Sequence, residues 1–172
     1  IGELPSTGIS ECLRELGFDI GRLKTGTPPR ISKDSINFSK TKQQKGDDNP
    51  QPFSYRSARI TQEQIDCYLT VTSPETIKII KDNLHRAPLY TGQIRSKGPR
   101  YCPSIEVKVV RFPDRTGHHI FLEPETRHTD EIYVNGFATS IPVDVQEKAL
   151  KTIPGLENVK IIRYGYAIEY DF

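Results

Sequence analysis

The chain has 172 residues, with 24 Lys and Arg set against 22 Asp and Glu, for a net charge of +2. Hydrophobic residues at 35% describe a polar but foldable chain and exclude an intrinsically disordered one, while so small a net charge argues for a local basic patch over a globally basic RNA binder. Apolar runs of only a few residues exclude a membrane-spanning helix, which needs ~20, and no secretory signal pattern is present.

The first element is a turn at 4–8 followed by a short helix, with Ser6 or Thr7 as its cap, Ile9, Leu13 and Leu16 on one face, and Gly17 placed to end it. Residues 21–30 put Arg22, Lys24 and Arg30 around Thr25-Gly26-Thr27-Pro28-Pro29, a stiff turn after a short strand. Lys24 and Arg30 suit a phosphate presented to a rigid loop, and equally suit solvated surface positions. From Ile31 to about Asp66 polar residues replace apolar periodicity, as in a linker or insertion, and the positive charge of Lys40, Lys42 and Lys45 is offset by Asp47 and Asp48. Cys67–Thr72 has strand composition, and Ser73-Pro74-Glu75 predicts a helix start with Ile77, Ile80 and Leu84 inward.

The stretch 98–112 carries the most chemistry. Gly98, Pro99 and Pro103 restrict the backbone around Cys102, so the thiol is presented from a rigid turn. Lys97, Arg100, Lys108 and Arg111 lie close in sequence, and nearby cations favour the thiolate, the nucleophilic form of a cysteine. A lone cysteine also serves as a small buried hydrophobe. Alternation of Ile105, Val107 and Val109 with Glu106 and Lys108, and of Val110 with Phe112, predicts a strand covered on both sides.

Further along, Ile120–Leu122 reads as a strand, and Asn135-Gly136 between Glu131–Val134 and Phe137–Ser140 predicts a hairpin. Pro142 suits the start of a helix with Val145, Ala149 and Ile153 inward, ending near Pro154-Gly155; Val159–Arg163 and Tyr166–Tyr170 predict two last strands. The fold class is α+β, with a mixed or antiparallel sheet and short helices.

No metal site is expected. Cys12, Cys67 and Cys102 are odd in number and widely spaced, unlike a zinc site or a disulfide framework, and fit a reducing compartment. His118 and His119 point to opposite faces of a strand, His85 and His128 stand alone, and solvated or hydrogen-bonded histidines are expected. Glu123 and Glu125 flank Pro124, where mutual repulsion would raise one carboxyl and make an acid–base group; solvation is the default.

Collinear blocks extend the reading. Gly98-Pro99-Arg100-Tyr101-Cys102-Pro103-Ser104-Ile105-Glu106, continuing to Lys108, Arg111 and Phe112, joins Gly21–Arg30, Phe121–Glu125, Asn135-Gly136, Asp144–Gln146 and Gly165–Phe172. In that order they resemble the MnmG/GidA family, the FAD-dependent large subunit of the tRNA wobble-uridine 5-carboxymethylaminomethyl modification enzyme. The resemblance implies a flavoprotein fragment, similar to the substrate half of a glutathione-reductase-like FAD-binding fold with an insertion. Residues 1–30 would belong to the FAD-binding domain, 31–97 to the inserted subdomain and 98–172 to the return into the FAD-binding and substrate domain. No G-x-G-x-x-G occurs in the sequence, and the chain reads as an internal piece of a longer enzyme, inactive alone.

The resemblance also implies FAD, NADH as reductant, methylenetetrahydrofolate as one-carbon donor, an MnmE-like GTPase partner, a homodimer, and a cytoplasmic location or the mitochondrial matrix in a eukaryote. Ser6 matches a position lining the FAD site, and sequence alone does not choose between cap and ligand. Cys102 is the candidate catalytic residue. Gly98 to Glu106, including Tyr101, with Lys108, Arg111 and Phe112, are candidates for NAD contact, and Lys24 and Arg30 for substrate phosphate. Two positions depart from the family pattern: Val107 stands where Asp is usual and Thr126 where Gly is usual. The competing reading is a tRNA- or partner-binding segment with a structural thiol and no catalytic residue of its own.

Overall fold

Short alternating segments pair into a six-stranded antiparallel sheet and a separate two-stranded ribbon in the computed structural model, which describes residues 4–100 and 102–172. Tyr101, one of the candidate NAD contacts, lies outside the described residues. The order begins with α1 (Ile9–Glu15), β1 (Arg22–Gly26), β2 (Arg30–Ser32) and β3 (Lys42–Gln44). It continues with β4 (Cys67–Val71), α2 (Pro74–Asp82), the single-turn α3 (Pro88–Thr91) and α4 (Ile105–Arg111). It ends with β5 (His119–Pro124), β6 (Glu131–Asn135), α5 (Val143–Leu150), β7 (Ile161–Arg163) and β8 (Ala167–Asp171).

The large sheet runs β3-β4-β5-β6-β2-β7, and β1 pairs with β8 in the ribbon. β2 is short but central: Ile31 faces Ile132 on one side and Ile161 on the other, and it is fully buried. Strands from before, within and after the polar stretch therefore share one sheet. Ile31, Ile120, Leu122, Ile132 and Val134 carry the sheet's share of the core. Against them pack Ile77 and Ile80 of α2, Ile105 and Val109 of α4, and Val145, Ala149 and Leu150 of α5. Each such Ile, Leu or Val side chain contributes about 1.5–3 kcal/mol on burial.

Helix signals with a defined cap fold as expected. Ser73 Oγ accepts the Thr76 N–H at 3.0 Å while Thr76 Oγ1 accepts the Ser73 N–H at 3.0 Å, closing a capping box ahead of Pro74. In α5 and just beyond it, Val145, Ala149 and Ile153 are fully buried, and Gly155 at φ 89° turns the chain away.

Three expectations are corrected. Residues 105–111 form α4, not a strand: Ile105 and Val109, four apart, bury one helical face at 0% and 1% exposure, and that packing overrides the β-branched composition. Asn135-Gly136 does not close a hairpin. Gly136 at φ 96° ends β6, Phe137 is buried, and 137–140 is a loop that delivers the Ala138 carbonyl to Ile105 N–H at 2.7 Å. The hairpin is instead β5–β6, with Leu122 opposite Val134. Finally, α1 is capped by Gly8, whose N–H is taken by the Glu11 carboxylate at 3.0 Å, so neither Ser6 nor Thr7 is its cap. Ile9 and Leu16 stay about two-thirds exposed at 68% and 69%, and only Leu13 of that face is half-buried.

Gly136 is a position where a side chain is excluded twice: by its positive φ, and by the His119 carbonyl oxygen 2.5 Å from an added Cβ. Gly136→Ala should therefore lose roughly 1–3 kcal/mol of stability, whereas Gly92→Ala, with positive φ but open space around it, should lose less. Urea unfolding of both variants checks the ranking, and equal losses would contradict it.

Candidate functional site

Cys102 is placed by long-range contacts. Lys24 N–H donates to the Lys97 carbonyl at 2.9 Å, so the segment leading into the thiol runs alongside β1. Cys102 N–H then donates to the Pro99 carbonyl at 3.4 Å, a tight turn between two prolines. On the far side, Ser104 begins α4 and Glu106, fully buried, accepts three hydrogen bonds: Thr139 Oγ1 at 2.9 Å, Ser140 N–H at 3.1 Å and Ser140 Oγ at 3.0 Å. Thr139 N–H in turn donates to the Thr27 carbonyl at 3.3 Å. The motif, the 137–140 loop and the end of β1 are thus tied together, and Cys102 Sγ lies 3.5 Å from Thr25 Oγ1.

Beside the thiol is a cavity of about 440 Å³. Lys24, Arg95, Lys97 and Arg111 contribute to its lining, and among the described residues no carboxylate does. Lys24 is only 4% exposed and has no ion-pair partner among the described residues. Ser104 Oγ is buried on the cavity wall without a hydrogen-bond partner, a state that costs about 1–3 kcal/mol unless something occupies the cavity. The site therefore combines a sulfur nucleophile, unpaired positive charge and an unused hydroxyl, a combination suited to an anionic substrate with an electrophilic carbon.

The other candidate residues are distributed differently. Gly98, Pro99 and Pro103 line the same cavity, as does Val107 at the departure from the family pattern. Arg100 is exposed, and Ile105 and Glu106 are buried supports. Lys108 and Phe112 turn toward a second cavity on the other side of Pro103. Burial pushes the Lys108 ammonium below its ordinary value, against the opposing influence of the Cys102 sulfur, and its Nζ donates to the Gly136 carbonyl at 3.0 Å. Ser6 lines a separate cleft of about 530 Å³ between the start of α1 and the β1–β8 ribbon, and does not share a cavity with Cys102.

Arg30 is held in a clamp. Its Nε and Nη2 donate to the Glu125 carboxylate at 3.1–3.3 Å, Nη1 donates to the Pro28 carbonyl at 3.0 Å, and the guanidinium lies 4.7 Å over the Tyr133 ring. The expected raised carboxyl in Glu123-Pro124-Glu125 is corrected for Glu125. Hydrogen bonding from Arg30 holds Glu125 below the usual carboxylate range, because the nearest charge is of opposite sign. Glu123 instead accepts from Asn135 Nδ2 at 2.8 Å. Thr126, the second departure, uses its Oγ1 to accept the N–H groups of His128 and Thr129 at 3.1 and 3.0 Å, organising the β5–β6 connection.

Sequence reasoning missed Thr25 and Arg95. Arg95 belongs to a basic pair with Lys97 that a charge scan could have flagged; Thr25 carries no signal apart from the sheet pairing. Among the described residues no group of three or more His, Cys, Asp or Glu is placed to hold a metal, all three cysteines are free, and no helix is long and apolar enough to cross a membrane.

The sequence profile described as Glucose inhibited division protein A matches residues 1–172. The chain belongs to this family. It is 60% identical over 167 residues to the tRNA uridine 5-carboxymethylaminomethyl modification enzyme MnmG of Bacillus subtilis (strain 168), and equally to that of Bacillus licheniformis. In both comparisons 97% of this chain is covered and 27% of the relative, so the chain spans about a quarter of their length. The crystal structure of Aquifex aeolicus GidA, form I, superposes with a TM-score of 0.86 at 50% identity, covering 99% of this chain and 30% of that one. Membership of this family agrees with the collinear blocks and with the α+β class of antiparallel sheet and short helices.

The Arg30–Glu125 pair generates a pH prediction. A carboxyl depressed in the folded state contributes stability that is present above its unfolded value and lost as pH falls through the folded value. Glu125→Gln should therefore destabilise at pH 7 and converge with wild type below the carboxylate range. Thermal midpoints of both proteins across that range check it, and a pH-independent difference would contradict it.

Proposed function

We propose that the chain is part of an enzyme that builds the 5-carboxymethylaminomethyl group on the wobble uridine of tRNA, with Cys102 as its nucleophile. The observation that carries this reading is the Cys102 sulfur beside a cavity that, among the described residues, is lined by four basic side chains and no carboxylate. Uracil C5 is a poor nucleophile until a group adds at C6. In the proposed step the Cys102 sulfur forms a bond to C6, and the electron pair of the C5–C6 double bond moves toward C5 and the O4 carbonyl. C5 then bonds to an electrophilic one-carbon unit, loses its proton to a base, and re-forms the double bond as the sulfur departs. Lys24 and Arg111 face the RNA phosphate or the anionic reductant, where desolvated positive charge acts strongly. Thr25 Oγ1 orients the sulfur.

When bound, FAD supplies the redox chemistry and the relay of the one-carbon unit. The Ser6 cleft suits its hydroxyl-bearing or carbonyl portions, since Ser6, Thr7 and Ser10 offer hydroxyls there. It does not suit the pyrophosphate, because Glu11, Glu169 and Asp171 also line it and Glu11 already occupies the Gly8 N–H. NADH as reductant, methylenetetrahydrofolate as donor, an MnmE-like GTPase partner, homodimerisation and a cytoplasmic location complete the proposal, supported by the family relationship. Within it, residues 1–30 and 98–172 belong to the FAD-binding and substrate domain, with 31–97 as an insertion knitted into its sheet.

In the full-length enzyme, Cys102→Ala and Cys102→Ser should retain flavin content and tRNA affinity yet lose modification by at least about 100-fold, the scale expected for losing a group that acts in the reacting bonds. Mass analysis of the tRNA nucleosides reads the product. Near-normal modification by either variant would reduce Cys102 to a packing residue and favour a binding-only role for this segment.

A further inference from the structure

Across Pro103 from the thiol lies a second cavity, of about 400 Å³, within the range of small-molecule sites. Pro103 lines both cavities, so they adjoin at the residue after Cys102. Two features of its lining, His118 Nε2 and the Phe112 ring, go unused by the fold, and a cation stands beside them. His118 is 7% exposed, and its Nε2 is fully buried without any hydrogen-bond partner, although its backbone N–H donates to Thr72 Oγ1 at 2.9 Å. Phe112 is 48% exposed, with the Arg115 guanidinium 5.6 Å from its ring centroid. Lys108, whose ammonium donates to the Gly136 carbonyl at 3.0 Å, also lines it, and among the described residues no carboxylate does. An orphaned ring nitrogen of this kind costs about 1–3 kcal/mol and is retained where a ligand completes it.

We propose that this cavity is a nucleotide subsite, taking the unpaired RNA nucleotide next to the one whose base meets Cys102. The base stacks on the Phe112 ring, with Phe121 as further apolar lining, and its polar edge meets His118 Nε2. Arg115 and Lys108 receive the phosphodiester. Aromatic rings that stack bases, cations that follow the backbone and a buried polar atom that reads an edge are the usual means of holding single-stranded RNA. Burial, Lys108 and Arg115 all hold the His118 imidazole below its ordinary pKa, which keeps it neutral at pH 7 and able to pair with a base edge. The inference rests on the proposed tRNA substrate and adds a place where a neighbouring base is held while the uridine reacts.

The test uses the full-length enzyme and a labelled anticodon stem-loop RNA, read by fluorescence anisotropy. Stacking on an aromatic side chain is worth about 1–3 kcal/mol per base, so Phe112→Ala should weaken binding roughly 5- to 150-fold. His118→Leu should weaken binding while leaving the thermal midpoint unchanged or higher, since it removes an unpaired buried polar atom. An RNA lacking the base beside the wobble uridine should bind wild type more weakly but lose nothing further with Phe112→Ala. NADH-driven flavin reduction should be unaffected in His118→Leu, since His118 stands outside the candidate NAD contacts. If the stem-loop binds wild type and both variants alike, the subsite is refuted while the tRNA reading stands; if it fails to bind wild type, that reading itself fails. Slowed flavin reduction with intact RNA affinity would reassign the cavity to the dinucleotide and overturn the proposal.

Discussion

Glu106 has no exposed surface, and its carboxylate is where three parts of the chain meet. Its acceptor oxygens take Thr139 and both donors of Ser140, and Thr139 passes the connection to Thr27 at the end of β1. An acid so placed is tolerated only because it is hydrogen-bonded; removing it would leave the buried Thr139 hydroxyl without its acceptor, at about 1–3 kcal/mol, and free the half-buried Ser140 donors. Position follows from this constraint. α4 is seated on the 137–140 loop, Cys102 is delivered to Thr25, and Lys24 is enclosed in the cavity wall instead of reaching solvent. Gln146 extends the same logic, donating to the Ile141 and Gly165 carbonyls and accepting the Gly165 N–H, so the entry into β8 is fixed to the same loop.

What the sequence made legible was whatever depends on neighbours in the chain. The capping box at Ser73, the inward face of α5 and the strands at 67–71 and 119–124 all follow from local periodicity and turn chemistry. Residues 105–111 look like strand in isolation because of Ile, Val and Val, and only the burial of Ile105, Val109 and Glu106 together makes a helix the better packing. Asn135-Gly136 failed as a hairpin for a related reason: Phe137 is claimed by the core and cannot continue a ladder. In the site, Cys102 and Lys24 stood out as residue types in stiff turns. Nothing local pairs Arg30 with Glu125, 95 positions away, or leaves His118 Nε2 without a partner.

The functional picture is of two adjoining cavities divided by Pro103, one holding the sulfur and unpaired cations, the other an aromatic wall and a neutral imidazole. Both open onto α4, from which Arg111 faces one and Lys108 the other. A single short helix thereby distributes positive charge to two sides of the thiol, and a modest net charge of +2 is compatible with strong local attraction for RNA. The near-absence of acids at these cavities contrasts with Arg30, Arg86 and Arg22, each of which is neutralised by a carboxylate in a structural pair.

The Cys102 sulfur is proposed to bond to C6 of the target uridine. A tRNA carrying 5-fluorouridine at the wobble position tests it directly, because fluorine cannot leave C5 as a proton does and the sulfur–C6 bond is trapped. With cofactors and GTPase partner present, the full-length enzyme should form an RNA adduct that survives denaturation, maps to Cys102 by peptide mass analysis, and is absent from Cys102→Ser at equal RNA affinity. An adduct that persists in Cys102→Ser, or maps to Cys12 or Cys67, would contradict the account.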